Sequence, residues 1–312
     1  MSTDQPDATR GPLPSELLRG MSLARRPTGP IVAILVVVLA FVIGQTLGVI
    51  VLVPLLGAEL RVVGGGSMSL ADQLAFTLAF LGPALLLFVW VRWKERRPFS
   101  SVGFLPAQRI GGSILLGVAV AVVLMSVPVL LNVLLGQAHF DSSDGGLFHA
   151  AQLGAVVLAL VGFTIQASTE EVFTRGYLLQ ATFRKWGLVA AVIVQMLVFT
   201  VLHALNGGLA LFPLLNLILV GLLLALWALA EGSLWGVCAF HAVWNWMQGN
   251  VYGVPVSNLK LEASLLSFRT NEDSAAVLTG GGFGIEGSAF TTVLLLVSAG
   301  VAFRAYRRRS GA

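Results

Sequence analysis

The sequence predicts an all-α, polytopic membrane protein of about eight transmembrane helices. Composition is the first indication: 56% of residues are hydrophobic and 11% are charged, against roughly 25% charged in a soluble domain. The second is a series of apolar runs near the ~20 residues that cross a bilayer at about 1.5 Å per residue. The third is the gathering of Lys and Arg in alternate connections. The net charge of +4 is scattered beside apolar runs, which excludes a nucleic-acid surface and leaves the lipid bilayer as the obligatory partner. The single cysteine, Cys238, excludes an internal disulfide and a Cys-rich metal site, and reads as a packing residue.

Residues 1–30, rich in Pro, Arg, Ser and Thr, read as a flexible cytoplasmic tail. The apolar run Ile31 to Leu56 is far longer than the ~7–15 residues of a signal-peptide core, so it is read as a retained membrane helix. With 70–91 and 111–135 it forms an N-terminal helical group, 31–135. Runs at 151–181, 188–205, 213–230 and 233–252 form a second group, 150–252. An outer loop, 253–287, contains "LTGGGFGIEGS" and reads as a plain flexible loop or a lid. A last helix, 288–304, opens the segment 288–312, which ends in a basic cytoplasmic tail. The connection 91–109 mixes basic and aromatic residues and suits either a headgroup layer or solvent. No internal repeat of the kind many transporters carry is visible.

Orientation follows from the cations. Four precede the first run, five lie in 92–109, two at 184–185 and four in 304–309, out of 19 in all. Arg61, Lys260 and Arg269 fall on the other side, and Arg175 falls inside a run. Both termini are therefore expected in the cytoplasm.

Few ionisable residues lie deep in the runs: Glu170, Glu171, Arg175, His203 and His241. A charge at a helix centre costs about 2.5–3.5 kcal/mol on insertion scales, so the default reading of such residues is functional. Glu170 lies before Lys185, and His203 after Leu188, by the same number of residues; at 1.5 Å each, both sit roughly 22 Å from the inner edge. His241 and Asn245 fall about 12–18 Å into their own run. Within "STEEVFTRG", 168–176, Glu171 and Arg175 are four apart and can pair. Glu170 points about 100° away, which leaves one carboxylate without its own cation and suited to general-base work. Phe199 and His203 share one face, with Phe199 packing against the imidazole. His241 and Asn245 share another and can both donate to a developing oxyanion. His139, Asp141, Asp144 and His149 flank an outer loop and read as solvated.

The motifs "EEVFTR" (170–175), "FTVLH" (199–203) and "HAVWN" (241–245) read E-E-x-x-x-R, F-x-x-x-H and H-x-x-x-N. Their order on three helices resembles the CPBP group of intramembrane proteases, the CAAX-processing and bacteriocin-processing enzymes also called Abi. The resemblance implies hydrolysis of a peptide bond within the membrane, with a peptide or membrane-protein substrate. It implies that Glu170 and His203 activate water, that His241 and Asn245 stabilise the oxyanion, and that Glu171 and Arg175 brace the helix. The family's metalloprotease label implies zinc, which Glu170, His203 and His241 would bind with an open water position. No H-E-x-x-H helix occurs, so a glutamate-type, metal-free protease stands beside it. A non-catalytic immunity factor or scaffold, and a proton-coupled transporter, are the other readings.

Overall fold

The computed structural model describes residues 14–59, 67–105, 109–141, 150–208 and 210–310. The described residues open with a 3-10 turn, Glu16–Leu23, capped by Ser15. Helix α1 (Pro30–Leu56) begins with proline, whose fixed φ suits a first turn, and ends at left-handed Gly57. Helices α2 (Leu70–Leu78) and α3 (Leu81–Val89) continue in a π turn to Lys94; Ser69 and Asp72 form a reciprocal capping box on α2. Helix α4 (Ile110–Leu134) is followed by strand β1 (Ala138–Asp141). Helix α5 (Ala150–Glu171) passes through a π segment, Val172–Leu178, into α6 (Leu179–Ala204), which breaks at Gly187 (φ 80°). Helix α7 (Leu211–Glu231) stops at left-handed Gly232, and α8 (Trp235–Trp246) is prolonged by a π turn to Val251. Strand β2 (Ser267–Thr270), the short α9 (Ala276–Thr279) and α10 (Ala289–Ser310) complete the chain.

The all-α membrane class holds. Leu35, Leu39, Val42 and Ile50 of α1 are each more than half exposed, a patch that only lipid would cover. The opposite stripe, Ala33, Val37, Ala40 and Gly44, is buried. Its small side chains admit close backbone contact: a Cβ on Gly44 would stand 2.3 Å from Pro83 N of α3. Six helical stretches among the described residues are long and apolar enough to cross a membrane, against the eight expected. The stretch Ala150–Ala204 counts once at 55 residues although Gly187 divides it, and α8 is too short to count.

Connections collect at two faces. On one, here the terminal face, Arg26 N–H donates to Glu95 O, Ser15 Oγ to Leu229 O, and Arg309 Nη1 to Ala230 O. On the other, the hairpin face, β1 pairs antiparallel with β2, and Met68 bridges to Leu261.

Two expectations change here. Residues 14–30 are not a loose tail: Leu17, Leu18 and Met21 are buried in the core. The connection 91–109 is not simply solvated: Glu95 and Arg97 are fully buried, 2.7 Å apart, and Arg97 also donates to Gln180 Oε1 at 2.7 Å. Gln180 in turn donates to Leu17 O and Ser101 O, and Thr28 N–H donates to Glu95. A buried ion pair needs such extra hydrogen bonds to offset its desolvation, and the N-terminal segment supplies them.

Candidate active site

Helices α5, α6 and α8 bring the motifs together. Glu171 Oε1 accepts from Arg175 Nη1 at 2.9 Å, with both side chains fully buried, as the four-residue spacing requires. The same oxygen lies 2.9 Å from His241 Nδ1. That second contact crosses between helices and could not be read from spacing. Glu171 is therefore an orienting partner of His241 as well as a brace for Arg175.

Glu170 points elsewhere. Its Oε1 accepts from Gln166 Nε2 at 3.1 Å. Its Oε2 is buried without a hydrogen-bond partner among the described residues, and lies 3.6 Å from His203 Nε2 and 3.8 Å from His241 Nε2. Those separations are too long for direct hydrogen bonds. His203 Nδ1 sits 3.0 Å from the Phe199 carbonyl, an acceptor that fixes the proton on Nδ1 and turns the Nε2 lone pair toward Glu170. The Phe199 ring lies 4.1 Å from the His203 ring and 4.3 Å from the Arg175 guanidinium. Phe199 thus links the two polar pairs, by stacking on one side and by a cation–π contact on the other. Asn245 is buried one turn beyond His241 and lines the same space.

That space is a cavity of about 220 Å³ bounded by Glu170, His203 and Asn245. Phe41, Phe76, Phe80 and Phe163 supply apolar wall, and Gln45 and Gln166 supply polar wall. Gln45 Nε2 donates to Phe76 O, and the Oε1 atoms of Gln45 and Gln166 are buried without partners among the described residues. Val256, Ser257 and Leu259 cover the cavity, so the outer loop is a folded roof. Glu286 pins it: its carboxylate accepts from Ser257 N (2.6 Å), Ser257 Oγ (2.8 Å) and Trp244 Nε1 (3.3 Å). Sequence reasoning missed Gln45, Gln166, Ser257 and Glu286. Gln166 alone carried a signal, its four-residue spacing from Glu170.

His139 and Asp141 stand 3.2 Å apart on the exposed hairpin, away from this cluster; Asp144 and His149 lie outside the described residues.

Among the described residues no group of three or more His, Cys, Asp or Glu is close enough to hold a metal ion as it stands. The donor chemistry of Glu170, His203 and His241 nevertheless suits zinc, because both Nδ1 atoms are engaged and an unpartnered carboxylate oxygen faces both Nε2 atoms. Ligand atoms about 2.0–2.1 Å from zinc at tetrahedral angles stand roughly 3.3 Å apart. The 3.6 and 3.8 Å separations would close by a few tenths of an ångström.

Fold and site together define a polytopic membrane protein with a buried acid–imidazole cluster set beside a cavity. Residues 152–247, just under a third of the chain, match the family model described as type II CAAX prenyl endopeptidase Rce1-like. The match spans all three motifs, and the CPBP resemblance holds over that segment. Comparison with curated proteins and with solved structures gives no match.

Proposed function

We propose that the chain is an intramembrane endopeptidase in which a water between Glu170 and His203 attacks a peptide carbonyl. The observation that carries this reading is the unpartnered Glu170 Oε2, buried at the cavity wall and facing two imidazole Nε2 atoms. Glu170 takes a proton from water, and the oxygen bonds to the scissile carbon. Asn245, and His241 when Nε2 carries a proton, donate to the oxyanion. As the C–N bond breaks, the proton held by Glu170 passes to the leaving nitrogen. A positioned base contributes about 10²–10⁴ in rate, and one oxyanion donor about 10²–10³. Glu171 and Arg175 position His241, and Phe199 positions His203.

Glu170→Gln and His203→Ala should each abolish cleavage of a reporter peptide while the protein stays folded in detergent. Retained cleavage in both variants rejects the reading.

A zinc-dependent version rests on the Nε2 orientations. Glu170, His203 and His241 would hold the ion, which supplies a bound water acidic enough to serve as nucleophile near neutral pH. Exhaustive chelation followed by zinc re-addition separates it from the glutamate-type version. A scaffold has no need of this carboxylate oxygen left without a partner beside two imidazoles, and the sequence carries no internal repeat of the kind many transporters have.

The matched family's description names a prenyl CAAX substrate. Five phenylalanines around the cavity, Phe199 included, suit an apolar or lipid-bearing peptide, and the unpartnered carbonyl oxygens of Gln45 and Gln166 suit its backbone N–H groups. The basic terminal face is cytoplasmic by the charge rule, which puts both termini inside.

A further inference from the structure

We propose that a second cavity, on the terminal face, binds the headgroup of a phospholipid that carries both a phosphate and a primary ammonium, with its acyl chains lying along α4 and α10. The proposal does not rest on the protease reading, because this cavity shares no lining residue with the one at the acid–imidazole cluster.

Its volume is about 720 Å³, within the roughly 300–1,000 Å³ of small-molecule sites. It lies where three membrane helices end: α4 begins at Ile110, α7 closes at Glu231 and α10 runs out at Ser310. Those helices have 25, 21 and 22 residues, close to the ~20 that cross the hydrocarbon core, so their ends stand at headgroup depth. Trp227 lines the cavity, and tryptophan is enriched at that depth because its ring is apolar and its N–H polar.

The wall of the cavity runs on into lipid-facing surface. Leu116 of α4 and Ala305 of α10 line it and are exposed. Val123, two turns on from Leu116, and Val301 and Val297, one and two turns back from Ala305, are each more than half exposed. An apolar face therefore continues along each helix toward the membrane centre. Helix α4 packs chiefly on α8, and α10 chiefly on α7, which leaves these two faces to acyl chains. A water-soluble phosphate ester would have no use for them.

Charge selects the headgroup. Among the described residues four charged side chains line the cavity: Arg109, Arg309, Glu16 and Glu231. Arg309 is anchored by donating Nη1 to Ala230 O, which uses one of the five donors of a guanidinium. Two guanidiniums suit the unesterified oxygens of a phosphodiester. Glu231 is anchored by Ser233 Oγ and Gly236 N–H, both on Oε1, and Glu16 pairs with exposed Arg19. Two carboxylates repel a headgroup that is anionic throughout, but accept hydrogen bonds from an ammonium. A choline headgroup has no N–H to donate. An ethanolamine-type headgroup satisfies both signs.

Lipid retention tests this. Purified protein is reconstituted in equal parts of phosphatidylethanolamine, phosphatidylcholine and phosphatidylglycerol with identical acyl chains, re-extracted in detergent, and its bound lipid identified by native mass spectrometry. Retention of phosphatidylethanolamine about tenfold above the other two is expected, the effect of one charge-assisted hydrogen bond. Equal retention of the three, preference for either of the others, or retention of none overturns the proposal on wild-type protein alone. Arg109→Gln with Arg309→Gln, both at exposed positions, should lower retention at least about tenfold. Arg25→Gln with Arg26→Gln removes the same charge from exposed positions outside the cavity and should leave retention unchanged. No loss in the first pair, or equal loss in both, would overturn the assignment, the latter because it shows a response to the charge of the whole face. Glycerophosphoethanolamine, the same headgroup without acyl chains, should fail to displace the lipid at millimolar concentration. Full displacement would make the cavity a site for soluble phosphate esters and sink the lipid proposal.

Discussion

Neighbouring glutamates with opposite roles make the sharpest prediction. Glu171→Gln removes the negative charge from a carboxylate that touches fully buried Arg175 at 2.9 Å and His241 at 2.9 Å. Breaking a buried pair by deleting one partner costs about 3–5 kcal/mol, because the remaining charge is left uncompensated. The amide oxygen can still accept one of the two bonds, which places the expected loss near the lower end, about 3 kcal/mol. Glu170→Gln does the reverse. Glu170 holds a single hydrogen bond, from Gln166, and its other oxygen has no partner. Neutralising it removes a buried unpaired charge, so stability should change by less than about 1 kcal/mol or rise. Activity should fall in both, completely for Glu170→Gln and by about 10–100-fold for Glu171→Gln, which loosens an orienting contact. The buried thiol of Cys238 provides the assay: a thiol-reactive dye reports unfolding of detergent-solubilised protein on heating, and a reporter peptide gives the rate. If Glu170→Gln unfolded more readily than Glu171→Gln, the roles drawn from the geometry would be refuted.

Three further outcomes follow from the packing. Gly44→Ala places a Cβ against the backbone at Pro83, 2.3 Å away, and should cost about 1–3 kcal/mol of stability; an unchanged unfolding temperature would mean that α1 and α3 are not in close contact. Glu286→Ala takes away the acceptor of three roof hydrogen bonds, each worth about 1.5–3 kcal/mol to a charged group, so hydrogen exchange of 254–260 should quicken at least tenfold, and undiminished protection would show that the roof is held otherwise. Gln45→Met removes an open acceptor from the cavity wall and should raise KM about fivefold at constant kcat, the effect of one hydrogen bond worth about 1 kcal/mol; an unaltered KM would show that water, not substrate, satisfies that oxygen.

Much of this was legible in the residues. A low charge content and long apolar runs leave no soluble solution, so the helical membrane class followed from composition. Four-residue spacing follows from helix geometry, so the Glu171–Arg175 pair, the Phe199–His203 stack and the outward turn of Glu170 could be read from a single helix each. The helix count was less secure: Gly187 breaks one long helix, and α8 ends at Trp246, where the backbone passes into a π turn, too short to count as a span.

Contacts between segments distant in sequence leave no periodic trace, and these the tertiary structure alone decided. Glu171 meets His241 across 70 residues, and Glu286 pins Ser257 to Trp244 from a glycine-rich loop that reads as flexible. Residues 14–30 carry the composition of a mobile tail, yet they fold down because Glu95 and Arg97 are buried and need donors and acceptors that this segment provides. Local spacing fixes which way a side chain leaves its helix; what it meets there depends on how the helices pack, and packing is settled by the whole chain at once.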